Sequence, residues 1–350
     1  MLIIFVDAWP YKYAPRNLQC KPLKPNLGYS VNLHNEIFAG KSPDDMGFFG
    51  EYHRNPGVSG QSKLGKLADF ILPQRFAGLF KVALRKFFNI RIGQLPFADL
   101  ALYERKGKYP FIGESPSLIE NFRSYITDSM KNIGLGKRDL IAVNSLLRDF
   151  RSKKIADNEN IFISLCDLDG LGHKYGVGSS EYQRHLSLLE GWISEIIFEY
   201  QTLSKTAKYF LLSDHGMMNV EKHIDIREWV KRMEGKYRCN IFYDSLYVYV
   251  HSSSLLSPQN LQEIEEVSWF NEDERKRFGI TNKSFGVHIG VMKPGFALSP
   301  NKFGFSKMKA YHGFLPSNDL KENFGIVASN ASLPDEITSK LMFTILNENL

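Results

Sequence analysis

The sequence predicts an α/β fold: a mostly parallel sheet flanked by helices, with an inserted, mainly helical cap. Three observations carry this. Short continuous apolar runs end in polar residues, as in Leu2 to Val6 before Asp7, Ile161 to Cys166 before Asp167, and Tyr209 to Leu212 before Ser213. That is the pattern of strands buried on both faces. Between the second and third runs, Tyr182, Leu186, Leu189, Ile193, Ile196 and Ile197 repeat at helical spacing. Strand, polar loop, helix and strand in that order build a parallel sheet with right-handed crossovers. From about Leu64 to Lys154 the pattern changes to helical periods richer in Lys and Arg. The chain is therefore expected to divide into a first core part over 1–63, a helical cap over 64–154 and a second core part over 155–350.

Leu2 to Val6 reads as a central strand that delivers Asp7 to its carboxyl end, where open α/β sheets collect ligands. A helix is expected from near Ser30, closed by the turn residues Gly40, Pro43 and Gly47. A serine at a helix start is also an ordinary N-cap. In the cap, Phe76, Leu79, Phe80, Ala83 and Phe87 share one helical face while Lys81, Arg85 and Asn89 share another. An amphipathic basic helix over 76–90 packs as a lid on its own domain or makes peripheral contact with an anionic membrane. Helical patterns follow at Ser117 to Met130 and Arg138 to Phe150. After the sheet resumes, Tyr209 to Leu212 leads into Ser213-Asp214-His215-Gly216-Met217, with Gly216 expected to let the backbone turn sharply. Later strands are expected over Leu246 to Val250, His288 to Met292 and Gly325 to Ala328. Tyr311-His312-Gly313-Phe314 lies between the last two.

Composition narrows the function classes. At 350 residues, 43% hydrophobic and 23% charged, the chain has the makeup of a globular protein with a substantial core. A net charge of +6 suits an anionic substrate and does not call for nucleic acid, so no nucleic-acid partner is expected. Three widely spaced cysteines form no CxxC pair and indicate neither a disulfide framework nor a thiolate zinc site. The opening apolar run is too short for a signal sequence, and no run approaches the roughly 20 apolar residues that span a bilayer. A cytoplasmic location follows as the expectation, and the oligomeric state is left open.

The polar residues at strand ends form a chemical set: Asp7, Asp169 with His173, Asp214 with His215, and His312, beside the hydroxyl of Ser30. Carboxylates and imidazoles suit zinc, with manganese or another divalent ion as the alternative. One catalytic zinc takes about three protein ligands, so this set is sized for two divalent metal ions. Such a pair clamps the attacking and leaving oxygens of an in-line displacement at phosphorus and activates a serine hydroxyl as nucleophile. His53, His185, His223 and His251 lie outside these motifs and read as surface or hydrogen-bonded structural residues. His288, at a strand start, reads as core packing.

Asp169-x-x-Gly172-His173, Ser213-Asp214-His215-Gly216-Met217 and His312-Gly313, following a strand that ends in Asp7, resemble the alkaline phosphatase superfamily. The branch they most resemble is the type I phosphodiesterase/nucleotide pyrophosphatase family. Gly40-x-x-Pro43-x-x-x-Gly47 is similar to the family's segment after its nucleophile, and counting back the family's interval from Gly40 reaches Ser30. Pro294-Gly295-Phe296 resembles a family turn. The similarity covers the first fifty residues and Ile161 onward, leaving the cap outside it. It implies an alkaline-phosphatase-like fold, with Asp169, His173 and His312 on one metal and Asp7, Ser30, Asp214 and His215 on the other. It also implies attack by Ser30 to give a phosphoryl-enzyme intermediate. Three positions depart from the family: Ala8 replaces a glycine, Ser30 a threonine, and Leu33 a phosphate-binding asparagine. Asn32 and His34 are the residues expected to contact phosphate in its place.

The leading expectation is a metal-dependent hydrolase of phosphate esters, phosphodiesters or pyrophosphates, acting on a small-molecule or lipid- or glycan-linked substrate. The alternatives are a phosphomonoesterase or phosphotransferase acting on a lipid- or glycan-linked phosphate, and a non-catalytic binding protein of the same fold.

Overall fold

A computed structural model describes residues 1–55, 57–58, 61–71, 95–127, 134–156, 158–203, 206–251, 257–303 and 307–350. The chain forms two compact units: the first comprises Met1–Ser42, Lys108–Asn219 and Met308–Leu350, the second Pro43–Gly107 and Val220–Lys307.

The first unit is built on a seven-stranded sheet. Its strands, numbered along the chain, are β1 (Leu2–Val6), β2 (Lys21–Lys24), β3 (Arg123–Ile126), β4 (Ile161–Leu165), β5 (Tyr209–Leu212), β6 (Gly325–Ser329) and β7 (Ile337–Thr338). The order across the sheet is β7-β2-β6-β5-β1-β4-β3. β3, β4, β1 and β5 run parallel, with Leu2 opposite both Ile161 and Tyr209, whereas β6 runs antiparallel to β5 and β2. The continuous apolar runs follow from burial on both faces. Leu2, Ile4 and Val6 enter one core with Ile161, Ile163 and Leu165, while Ile3 and Phe5 enter the other with Phe162, Phe210 and Leu212. Each such side chain contributes about 2 kcal/mol of burial energy.

Five helices of this unit are α1 (Ser30–Ala39), α2 (Arg138–Arg151), α3 (Asp167–Tyr175), α4 (Ser180–Leu203) and α5 (Ser339–Asn347). Helix α1 ends at Gly40, whose φ of 65° supplies the left-handed C-cap. Its apolar face packs on α5.

The cap expected over 64–154 is divided between the units. β3 is an edge strand of the large sheet, and α2 packs on α4 and β4. Of the helix expected from Ser117 to Met130, residues 117–127 are instead turns followed by β3, and 128–130 lie outside the described residues. Leu118, Ile119, Phe122 and Ile126 all meet one core. A turn followed by a short strand thus imitates helical spacing. The helix expected over 76–90 lies outside the described residues.

The second unit has its own four-stranded antiparallel sheet, ordered Asn240–Tyr243, Tyr247–His251, His288–Met292 and Val267–Trp269. Two of the expected later strands therefore belong here and not to the large sheet, and the described part of this unit is mixed rather than mainly helical. Arg275 is buried there, donating to the carbonyls of Ile280, Asn282, Gly286 and Val287. Four acceptors satisfy a cation that burial would otherwise penalise. The helix Lys63–Ile71 leaves Leu64, Leu67, Phe70 and Ile71 exposed. Among the described residues no helix is long and apolar enough to cross a membrane.

Candidate metal centre

Seven sequence-predicted residues meet at the carboxyl ends of the parallel strands, all within the first unit. Asp7 follows β1, Asp214 and His215 follow β5, Asp169 and His173 lie one helical turn apart on α3, Ser30 is the first residue of α1, and His312 follows the short strand Ala310–Tyr311. Two clusters result, one of Asp169, His173 and His312, the other of Asp7, Asp214 and His215, each with ligand atoms within 4.8 Å of one another. His215 Nε2 lies 3.2 Å from Asp214 Oδ2 and 3.5 Å from Asp7 Oδ1. Asp169 Oδ1 lies 3.2 Å from His173 Nε2 and 3.5 Å from His312 Nε2. The rings of His215 and His312 stack with centroids 3.8 Å apart, which joins the clusters into one centre. Ser30 Oγ is 3.0 Å from His215 Nε2.

The imidazoles are oriented from behind. His173 Nδ1 lies 2.8 Å from the Ala310 carbonyl and His215 Nδ1 2.9 Å from that of Gly216. A carbonyl can only accept, so both protons are on Nδ1 and both Nε2 lone pairs face the centre. Ser213 is locked from both sides, accepting from Trp9 N and donating to the His215 carbonyl.

Glycines let the motifs interlock. A Cβ on Gly172 would meet Met217 Sδ at 2.2 Å, so the helix bearing Asp169 and His173 rests directly on the segment bearing Asp214 and His215. Gly216 serves close approach and not the sharp turn expected of it: its φ is not positive, yet a Cβ there would meet the Glu322 carbonyl at 2.0 Å.

The donor chemistry fits cations. Asp7 Oδ1, Asp169 Oδ1, both carboxylate oxygens of Asp214 and His312 Nδ1 are buried without a hydrogen-bond partner. Unpaired buried acceptors carry the full desolvation penalty, and convergent carboxylates add repulsion. Burial, then Asp214 and Asp169, push Asp7 well above the ordinary carboxylate range. Burial, the largest single influence on Asp169, raises it, but His173, His312 and His215 together hold the group below its ordinary value. Burial, then His215, pushes His312 well below the ordinary imidazole value. Bound divalent ions would satisfy these oxygens and leave the imidazoles neutral.

The two residues expected to contact phosphate, Asn32 and His34, are both buried on α1. Asn32 is buried at the start of α1, its Oδ1 2.9 Å from where a Cβ on Gly28 would stand. His34 is buried beneath the centre, with Nε2 3.0 Å from Asp214 Oδ2 but not aligned as a hydrogen bond. Its ring stacks on Phe111 at 4.3 Å. His34 thus stands behind Asp214, one of the candidate ligands. One turn after Ser30 on the same helix, it could have been placed there by helical spacing alone. Ala8 adopts φ 62°, the left-handed region that favours glycine, with its methyl packed against Met217 and Ala310. The substitution for the family's glycine therefore bears on the backbone immediately after Asp7.

Residues 112–284 match the family model described as type I phosphodiesterase / nucleotide pyrophosphatase. A comparison with curated proteins returns no match. Among solved structures, an inactive variant of murine ectonucleotide pyrophosphatase/phosphodiesterase 5 in complex with AMP is similar at a TM-score of 0.62 and 13% identity, covering 100% of this chain and 94% of that one. The human ectonucleotide pyrophosphatase/phosphodiesterase 5 gives 0.58 and 14%, covering 99% and 94%. Phosphonoacetate hydrolase from Sinorhizobium meliloti 1021, in complex with phosphonoformate, gives 0.60 and 13%, covering 100% and 95%. At these identities the likeness is one of fold.

Proposed function

We propose that this chain, whose residues 112–284 match the type I phosphodiesterase/nucleotide pyrophosphatase model, belongs to that family and uses Ser30 and two divalent cations to hydrolyse a small-molecule phosphate ester, diesters ahead of monoesters. Membership would make it a metal-dependent phosphoric ester hydrolase, and the nucleophile, the ion pair and the diester preference are proposed with it. The observation that carries it is the convergence of unpartnered carboxylate oxygens and imidazole lone pairs around the Ser30 hydroxyl.

Asp169, His173 and His312 would hold one cation, and Asp7, Ser30, Asp214 and His215 the other. Bound there, the cations supply positive charge that makes a serine hydroxyl nucleophilic at neutral pH and stabilises the attacking and leaving oxygens. Zinc suits the mixed carboxylate and imidazole set, with manganese as the alternative. Ser30 opens α1, so a phosphoryl group brought to it meets the positive end of the helix dipole. The Ser30 Oγ forms a bond to phosphorus as the bond to the leaving oxygen breaks. Water then displaces Ser30 from phosphorus and restores its hydroxyl. Stacking and the hydrogen bonds from Nδ1 hold His215 fixed through both steps. The AMP and phosphonoformate held by the solved relatives support a small phosphorus-bearing substrate.

The test is Ser30→Ala with elemental analysis and turnover of aryl phosphate mono- and diesters. Activity is expected to fall on the order of 10³-fold or more while bound metal changes little. Unchanged turnover would remove Ser30 as nucleophile. A parent faster on monoesters would replace the diester preference with a phosphomonoesterase.

A further inference from the structure

We infer that Asp139, Asp167 and His185 are positioning residues that fix the helix carrying Asp169 and His173, and thereby set the affinity of the cation those two share with His312. The inference rests on the two-cation reading above. Asp139, Asp167 and His185 are at most 3% exposed and form the third cluster among the described residues whose geometry could hold a metal. Their bonding argues against one. Asp139 Oδ1 accepts from Cys166 N at 2.8 Å and from Asp167 N at 3.2 Å, and Oδ2 lies 2.9 Å from His185 Nε2. Asp167 Oδ1 accepts from Arg138 Nε at 2.6 Å, and Oδ2 accepts from Arg138 N at 2.8 Å and Asp139 N at 3.1 Å. No atom of these carboxylates is left without a partner, whereas the oxygens of the metal centre are. The same residue types therefore make a strut here and a ligand set there.

The strut joins two helix starts. Helix α3 follows Cys166, which offers no side-chain cap, and α2 follows Lys137, which offers none either. Asp139, the second residue of α2, caps α3; Asp167, the first residue of α3, caps α2. Each supplies the acceptor that the other's orphan N–H groups need. His185 on α4 holds Asp139 in place, and Arg138 holds Asp167. Asp169 stands two residues beyond Asp167, and His173 one turn further. Metal ligands must keep their distances within about 0.2 Å, so a loosened start to α3 would displace both together. Asp7, Asp214 and His215 follow β1 and β5 instead. The effect must then fall on one cation and spare the other.

Zinc titrated into the metal-free parent against a competing chelator is expected to show two binding steps, and His173→Ala identifies which step belongs to α3. In Asp167→Asn and His185→Ala that step is expected to weaken about tenfold, in the range of lost outer-shell partners. The other step should move less than about twofold, and His185→Gln, which can still donate to Asp139, should restore parental affinity. Steps unchanged in both variants would overturn the inference, as would both steps weakening together, the mark of general loosening. If His185→Ala does not fold, Asp167→Asn and His185→Gln decide between the same outcomes. A parent with fewer than two steps would overturn the two-cation reading first, and this inference with it.

Discussion

His34 shows how one side chain's role depends on what lies behind it. Buried against Phe5 and Phe111, it presents Nε2 to Asp214. Replacing His34 with Gln is expected to weaken the cation held by Asp7, Asp214 and His215 about tenfold while the protein stays folded. Zinc affinity and far-ultraviolet circular dichroism measured together check this, and unchanged affinity would return His34 to packing alone. Ala8 presents the opposite balance. A left-handed Ala costs about 1–2 kcal/mol relative to an ordinary backbone. Its methyl, filling the space between Met217 and Ala310, returns about 0.8 kcal/mol. These small, opposed magnitudes explain how alanine is tolerated beside a ligand.

At the scale of elements, α1 carries Ser30, the proposed nucleophile, at one end and a buried acid near the other. Glu36 accepts hydrogen bonds from Asn26 Nδ2 and from Ser339 Oγ at the start of α5, and burial pushes its pKa up to about 7 from 4.5. The folded chain therefore takes up this proton more readily than the unfolded one. The stability it confers is complete below about pH 4.5 and is lost as pH rises through 7. Glu36→Gln, which keeps the shape without the charge, should leave stability unchanged at the acid end and raise it by about 3 kcal/mol above pH 7. Urea unfolding at the two pH values checks the sign, and an equal shift at both would refute it. The parallel strands and α4 were legible in the sequence because burial on both faces leaves unbroken apolar runs and a long helix leaves a sustained period. β3 was not: it is short, lies at the sheet edge, and follows a turn whose apolar residues share its core. The mutual capping of α2 and α3 was equally hidden, since each acid caps a helix remote in sequence.

At the scale of the whole molecule, the clustering of Asp7, Asp169, His173, Asp214, His215 and His312 was legible because parallel strands deliver the residues at their carboxyl ends to one edge of the sheet. The division into units was not, since each unit is assembled from separated stretches and the second carries its own sheet. Because the proposed ligands follow β1 and β5, lie on α3 and precede β6, bound cations would brace most of the first unit. Exhaustive chelation is expected to lower the melting midpoint on the order of 5–10 °C, with zinc restoring it. A midpoint indifferent to both treatments would mean the ions contribute nothing to the fold. β5 lies between β1, from the first residues of the chain, and β6, from among the last. Segments about 320 residues apart in sequence must therefore meet before the strand leading to Asp214 has both neighbours. A piece of the chain lacking either segment is therefore expected to leave the cluster around Asp214 without one wall, and with it the place where cations would sit.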